Sequence, residues 1–379
     1  VLTPALTDPE WGHWSRQLLA SILASKAHDA ILGNHRPTAL ASLPIFERAL
    51  VYADEADREV AGGRRGLRPA ELKSWYAEAL FVAGEREKAR QINTEIRALL
   101  SEFVKREPFL VSARFSVAWT SRTVTRQAHE EWDFAAWKSA LDEMDLHFTE
   151  LLKHHPTHWT YATIFARSLA LGPQSRFNYE WIQGDFAAAK AATERAVKLW
   201  DVDWTPIGSL SLPRLGQIKL AAICAATGND GQAVRQLQEA DAILKRDFEA
   251  RTWVTTGQRQ SSRAAHQSLR CEVEFQRLNW TGMRKNAEEV LRIRPTDQDA
   301  HRHLMHAAFE MGDYATARRS LEMWSPRTVE RTPGGQDIQT RFERVRQQLT
   351  RIHVLARAGE IAEARGALAE WWREVEAVF

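Results

Sequence analysis

A short pattern recurs along this 379-residue chain and constrains its fold more than any other feature. A glycine follows directly on an apolar run. An Asp, Asn or Glu comes next, and an alanine stands five residues after the glycine. The pattern reads Gly312-Asp313-Tyr314 with Ala317, Gly184-Asp185-Phe186 with Ala189, Gly228-Asn229 with Ala233, Gly84-Glu85 with Ala89, and Gly359-Glu360 with Ala364. Two variants depart from it. One has Leu278 in place of the glycine; the other, beginning Trp132-Asp133-Phe134, has Trp137 in place of the alanine.

Each position has a physical task. Glycine suits the left-handed residue just past a helix end, where a side chain costs about 1–2 kcal/mol. The Asp or Asn after it can accept hydrogen bonds from the first amides of a following helix. The alanine lies on the inner side of that second helix and lets two backbones approach. Together they predict a helix, a tight turn and an antiparallel second helix. Upstream, Leu304, Ala308 and Met311 before Gly312, and Leu72, Trp75, Tyr76, Ala79 and Leu80 before Gly84, keep helical spacing.

Leu278 and Gly312 are 34 residues apart, and Pro295 stands between them where one unit must stop before the next begins. A unit of this length and signature resembles the tetratricopeptide repeat. The match is tightest over 264–330 and looser at 70–100, 175–245 and 340–372. The resemblance implies an all-α, right-handed solenoid of about seven helix-turn-helix units, here a single domain over 1–379. Gly184 to Gly228 spans 44 residues and Gly312 to Gly359 spans 47, and Trp137, Trp324 and Trp371 fill places the family keeps small. The array is therefore expected to be irregular there.

The rest of the chain fits around these units. Thr7 and Glu10 have capping-box spacing, Pro9 suits a first helical turn, and Trp11, Trp14, Leu18 and Ile22 form an apolar stripe. A second helix is expected over 40–57, with Pro44 near its start. Residues 61–69, 106–108, 154–158 and 172–175 read as breaks. The apolar connection 201–214 is expected to pack on the array, while 255–262 and 325–337 read as polar connectors.

Little chemistry accompanies this architecture. There is no nucleophile elbow and no phosphate-cradling glycine loop. Glu130/Glu131 and Glu288/Glu289 are adjacent pairs that point to different helix sides. His301, His303 and His306, and His154, His155 and His158, are clusters without a zinc frame. An enzyme built on these histidines is the least favoured reading, and no cofactor or metal is expected. A net charge of +2 gives no footprint for nucleic acid. No run of about 18 apolar residues spans a membrane. Cys224 and Cys271 read as a buried, reduced pair, and the chain is assigned to the cytoplasm, although a signal or anchor could have been removed before Val1.

The resemblance also implies a face for a partner. In tetratricopeptide arrays the residues ten and six positions before the turn glycine line the inner surface. Carried onto this sequence, they are Arg302 and His306 before Gly312, and Leu349 and His353 before Gly359. Before Leu278 they are Ser268 and Glu272, before Gly84 they are Ser74 and Glu78, and before Gly228 they are Ile218 and Ala222. Arg346 and Arg357 lie on neighbouring turns. The expected role is a scaffold or adaptor that binds a protein or peptide, with the Arg and His donors of the C-terminal third gripping a carboxylate or acidic segment. The alternative is the sensor or regulatory region of a larger bacterial kinase or transcription regulator.

Overall fold

The computed structural model describes residues 12–31, 36–58, 66–200, 211–250, 255–324 and 338–376. Within them the chain forms seventeen α-helices and no strand. They are α1 Gly12–Ile31, α2 Arg36–Asp57, α3 Leu67–Ala83, α4 Arg86–Arg106, α5 Val111–Glu131, α6 Phe134–His154, α7 Trp159–Ala170, α8 Arg176–Ile182 and α9 Phe186–Trp200. The series continues with α10 Ser211–Ala226, α11 Asp230–Ala250, α12 Thr256–Gln276, α13 Trp280–Ile293, α14 Gln298–Glu310, α15 Tyr314–Met323, α16 Ile338–Arg357 and α17 Ile361–Glu376. Most helices adjacent in sequence pack on each other. The described residues divide into two compact units, one up to Tyr179 and one from Glu180 onward, with the boundary inside α8.

The turns follow the sequence pattern closely. At Gly84, Gly184, Gly228, Gly312 and Gly359 the backbone is left-handed, with φ between 76° and 96°. Each turn closes with the same two bonds. Gly312 N–H donates to Phe309 O and Asp313 N–H to Ala308 O, and the same pair forms at Gly84–Glu85, Gly184–Asp185, Gly228–Asn229 and Gly359–Glu360. This is a Schellman arrangement, which satisfies carbonyls at the end of the first helix. Trp132 and Leu278 adopt the left-handed conformation too, with φ of 57° and 55°, and close the same bonds.

The following residue then starts the second helix. Asp133, Asp185, Asn229, Asn279 and Asp313 each accept a hydrogen bond from the backbone N–H three residues on. Glu85, one methylene longer, makes no such cap. Five residues past each turn, Ala89, Ala189, Ala233, Ala317 and Ala364 are buried, and Met283 and Trp137 are buried at the same position in the two variants.

Trp137 shows what a large residue there requires. Its ring packs edge-on against His129 and Tyr179, and its indole N–H donates to Gln174 O at 3.0 Å. That acceptor lies in the bend between α7 and α8, after Gly172 and Pro173. A first helix broken into two pieces thus makes room for the indole. Trp324 is buried at the end of α15, and Trp371 donates its indole N–H to Val345 O.

Several expected boundaries move. Residues 255–262 are not a connector, because Thr255 and Gln258 form a capping box that starts α12. Pro44 lies inside α2, which begins at Arg36. The segment 211–214 belongs to α10, whereas 201–210 lies outside the described residues, as do Thr7, Pro9, Glu10, Trp11 and the connector 325–337. The stripe on α1 faces outward: Trp14 is 63% exposed, Leu18 53% and Ile22 48%. The helix instead buries Ala20, Ala24, Ala27 and Ile31. Small side chains on one helix side admit the neighbouring backbone, and that selects the buried face over the bulkier stripe. No helix among the described residues is long and apolar enough to cross a membrane.

Candidate functional site

The first helices of successive pairs touch one another: α1, α3 and α5 in the first unit, and α10, α12 and α14 in the second. Their side chains therefore form a shared face in each unit, and charged and aromatic residues gather on it.

In the second unit the face carries Glu272 and Arg302, both selected from the sequence. The structure brings them together. Glu272 on α12 accepts hydrogen bonds from Arg302 at 2.9 Å and from His303 at 2.8 Å, both on α14. Partial burial opposes ionisation of Glu272, yet the His303 hydrogen bond and the two neighbouring cations hold it down at about 2. Arg302 is thus committed to an internal partner. Asp241 on α11 is gripped in the same way by His266 at 2.6 Å and by Arg270, both on α12. Burial pushes the His266 imidazole below its ordinary range, against the pull of Asp241.

The other sequence-selected residues are dispersed. His306 is half-buried, edge-on to the Phe275 ring, and Ser268 is half-buried on α12. His353 and Arg357 are exposed on α16, and the side chain of Arg346 lies outside the described residues. Beside them an open groove of about 270 Å³ runs among α15, α16 and α17. It is lined by Arg318, Trp324, Gln347, Arg351 and Glu363 among others, and takes neither His353 nor Arg357. The histidine clusters are engaged locally. His301 is hydrogen-bonded to Pro295 O, and His158 stacks on Tyr161. Among the described residues no three His, Cys, Asp or Glu side chains stand together in a way that could hold a metal ion.

The first unit has the denser face. Glu78 on α3 is buried and meets His28 of α1 and Arg126 of α5, each at 3.3 Å. Burial opposes its charge, but these partners and Arg122 hold the carboxyl below its ordinary range. His28 stacks on Trp75 at 4.9 Å and meets the Trp119 ring edge-on. Arg122 lies over the Trp119 ring, 5.0 Å from its centre. Burial lowers the Arg122 guanidinium from its ordinary value, more than the charge of Glu78 restores.

Glu78 follows from the sequence rule, but Arg122 and Arg126 were missed. They stand ten and six residues before Trp132, the left-handed residue of that turn. The same count, applied to the Trp132 variant of the repeat, finds both. No protein-family model matches this chain, and no curated protein matches it either.

Proposed function

We propose that this chain is a tetratricopeptide-like binding module: about seven helix pairs, wound right-handed, that offer the face of their first helices to a protein or peptide. One observation carries the reading. Side chains costly to desolvate, among them Glu78, Arg122, Glu272 and Arg302, collect where first helices adjoin, beside hydrophobic clusters that run both within pairs and from one pair to the next. A face built of aromatic rings and arginines, the residues enriched at binding hot spots, suits recognition more than stability. A protein or peptide carrying acidic groups is the partner expected.

Panning a random-peptide display library against the chain tests this. Selected peptides should protect amides or shift side chains on α3, α5, α12 and α14. Failure to enrich any sequence, or protection confined to the second helices, would overturn it.

A further inference from the structure

The α5 face of the first unit is rich in donors and short of acceptors. The Arg122 side chain makes no hydrogen bond and no ion pair with the described residues. Glu78, the carboxylate whose charge reaches it, already serves Arg126 and His28. Glu130, further along α5, is divided between Arg126 and Arg86. Arg167 on α7 adds an exposed guanidinium whose charge also acts on Arg122. The Trp119 indole N–H, beneath Arg122, is shielded from water and has no acceptor. Among the described residues Glu78 and Glu130 are taken up by Arg126, Arg86 and His28, and the guanidinium over the indole pairs with neither.

A half-buried guanidinium with no carboxylate of its own is best met by a planar acceptor that takes two parallel N–H bonds, and a carboxylate has that shape. Leaving it without one is unfavourable in a partly dry site. We propose that Arg122, with Arg167 of α7 adding positive charge, receives the carboxylate of an acidic side chain in a bound peptide. The surplus of positive charge is small, and Glu78 and Glu130 stand close by, so a monoanion fits better than a phosphate dianion. This rests on the peptide-binding reading and names the chemistry at one place on the face.

The test uses the full chain and a fluorescein-labelled peptide of alternating Leu and Glu, its Leu-Gln counterpart, and inorganic phosphate as competitor. The Leu-Glu peptide should bind about tenfold tighter than the Leu-Gln peptide, the size expected for a charge-assisted pair. Arg122→Gln should abolish that preference. Arg167→Gln, at an exposed position where folding is not at stake, should weaken it. Arg235→Gln, an equal loss of charge on α11, should leave it unchanged. Equal binding of the two peptides, an unaltered preference in a folded Arg122→Gln and in Arg167→Gln, or displacement by millimolar phosphate as effective as by peptide would each overturn the proposal. Display-selected peptides that lack acidic residues and bind Arg122→Gln normally would overturn it too, while leaving the broader peptide-binding reading intact.

Discussion

Leu278 holds, at φ of 55°, the backbone position that Gly312 holds at φ of 78° one unit later. Both close the same pair of turn bonds. The strain at Leu278 is local, because its side chain is 67% exposed and contributes little packing.

Leu278→Gly is therefore expected to stabilise the second unit by about 1 kcal/mol, the cost of a side chain in that conformation. Gly312→Ala should destabilise it by about 1 kcal/mol through the backbone alone, since a Cβ there would meet nothing within 4 Å. Urea titrations of both variants against wild type provide the check, and opposite shifts in midpoint are the expected result.

Trp137 is a larger commitment. Trp137→Ala removes a buried indole and leaves Gln174 O without its donor. A loss of about 3–5 kcal/mol is expected. The reverse change at the matching place in the second unit, Ala317→Leu, should cost about 1–3 kcal/mol, because Ala317 has no broken helix opposite to make room. Thermal unfolding followed by circular dichroism distinguishes both from wild type.

Acid should weaken the second unit through Glu272. Its carboxyl titrates at about 2 in the folded chain, against an ordinary value of 4.5. Its folded value is depressed, so the stabilisation is complete above about pH 4.5 and is lost as pH falls towards 2. The side chain is half-exposed, and solvent screening keeps the effect small. Glu272→Gln should flatten the pH dependence of the urea midpoint within that window and leave it unchanged above pH 5.

Cys224 and Cys271 are buried, and neither forms a disulfide. Burial pushes both thiols above their ordinary values. A thiol reagent at pH 8 should therefore modify neither in the native chain and both in urea, since the thiolate is the reactive form. Mass spectrometry of the two samples would show it.

The turns were legible because everything they need is local: glycine, a capping side chain and a small residue occur within six positions of one another. Trp132 shows the limit. It adopts the glycine conformation, and a count of face residues made from the glycines and Leu278 alone passes over Arg122 and Arg126. The start of α12 was hidden for the opposite reason: Gly257 and its polar neighbours resemble a loop, and the Thr255–Gln258 box outweighed them. Pairing across units was not legible at all. Arg302 and Glu272 are 30 residues apart and meet because α12 and α14 lie side by side, a relation no local pattern records. The α1 stripe misled because periodicity identifies a helix with two faces without saying which face meets a neighbour.

The turn geometry also bears on how quickly the chain acquires its structure. Every hinge closes through amides five residues or fewer from their acceptors, and most helices pack against the one beside them in sequence. Little loop entropy is spent before such contacts form, so a hairpin of this kind assembles early and its neighbours add to it. Refolding after rapid dilution from denaturant should accordingly be led by a fast phase in helical signal, with nucleation open to more than one hairpin.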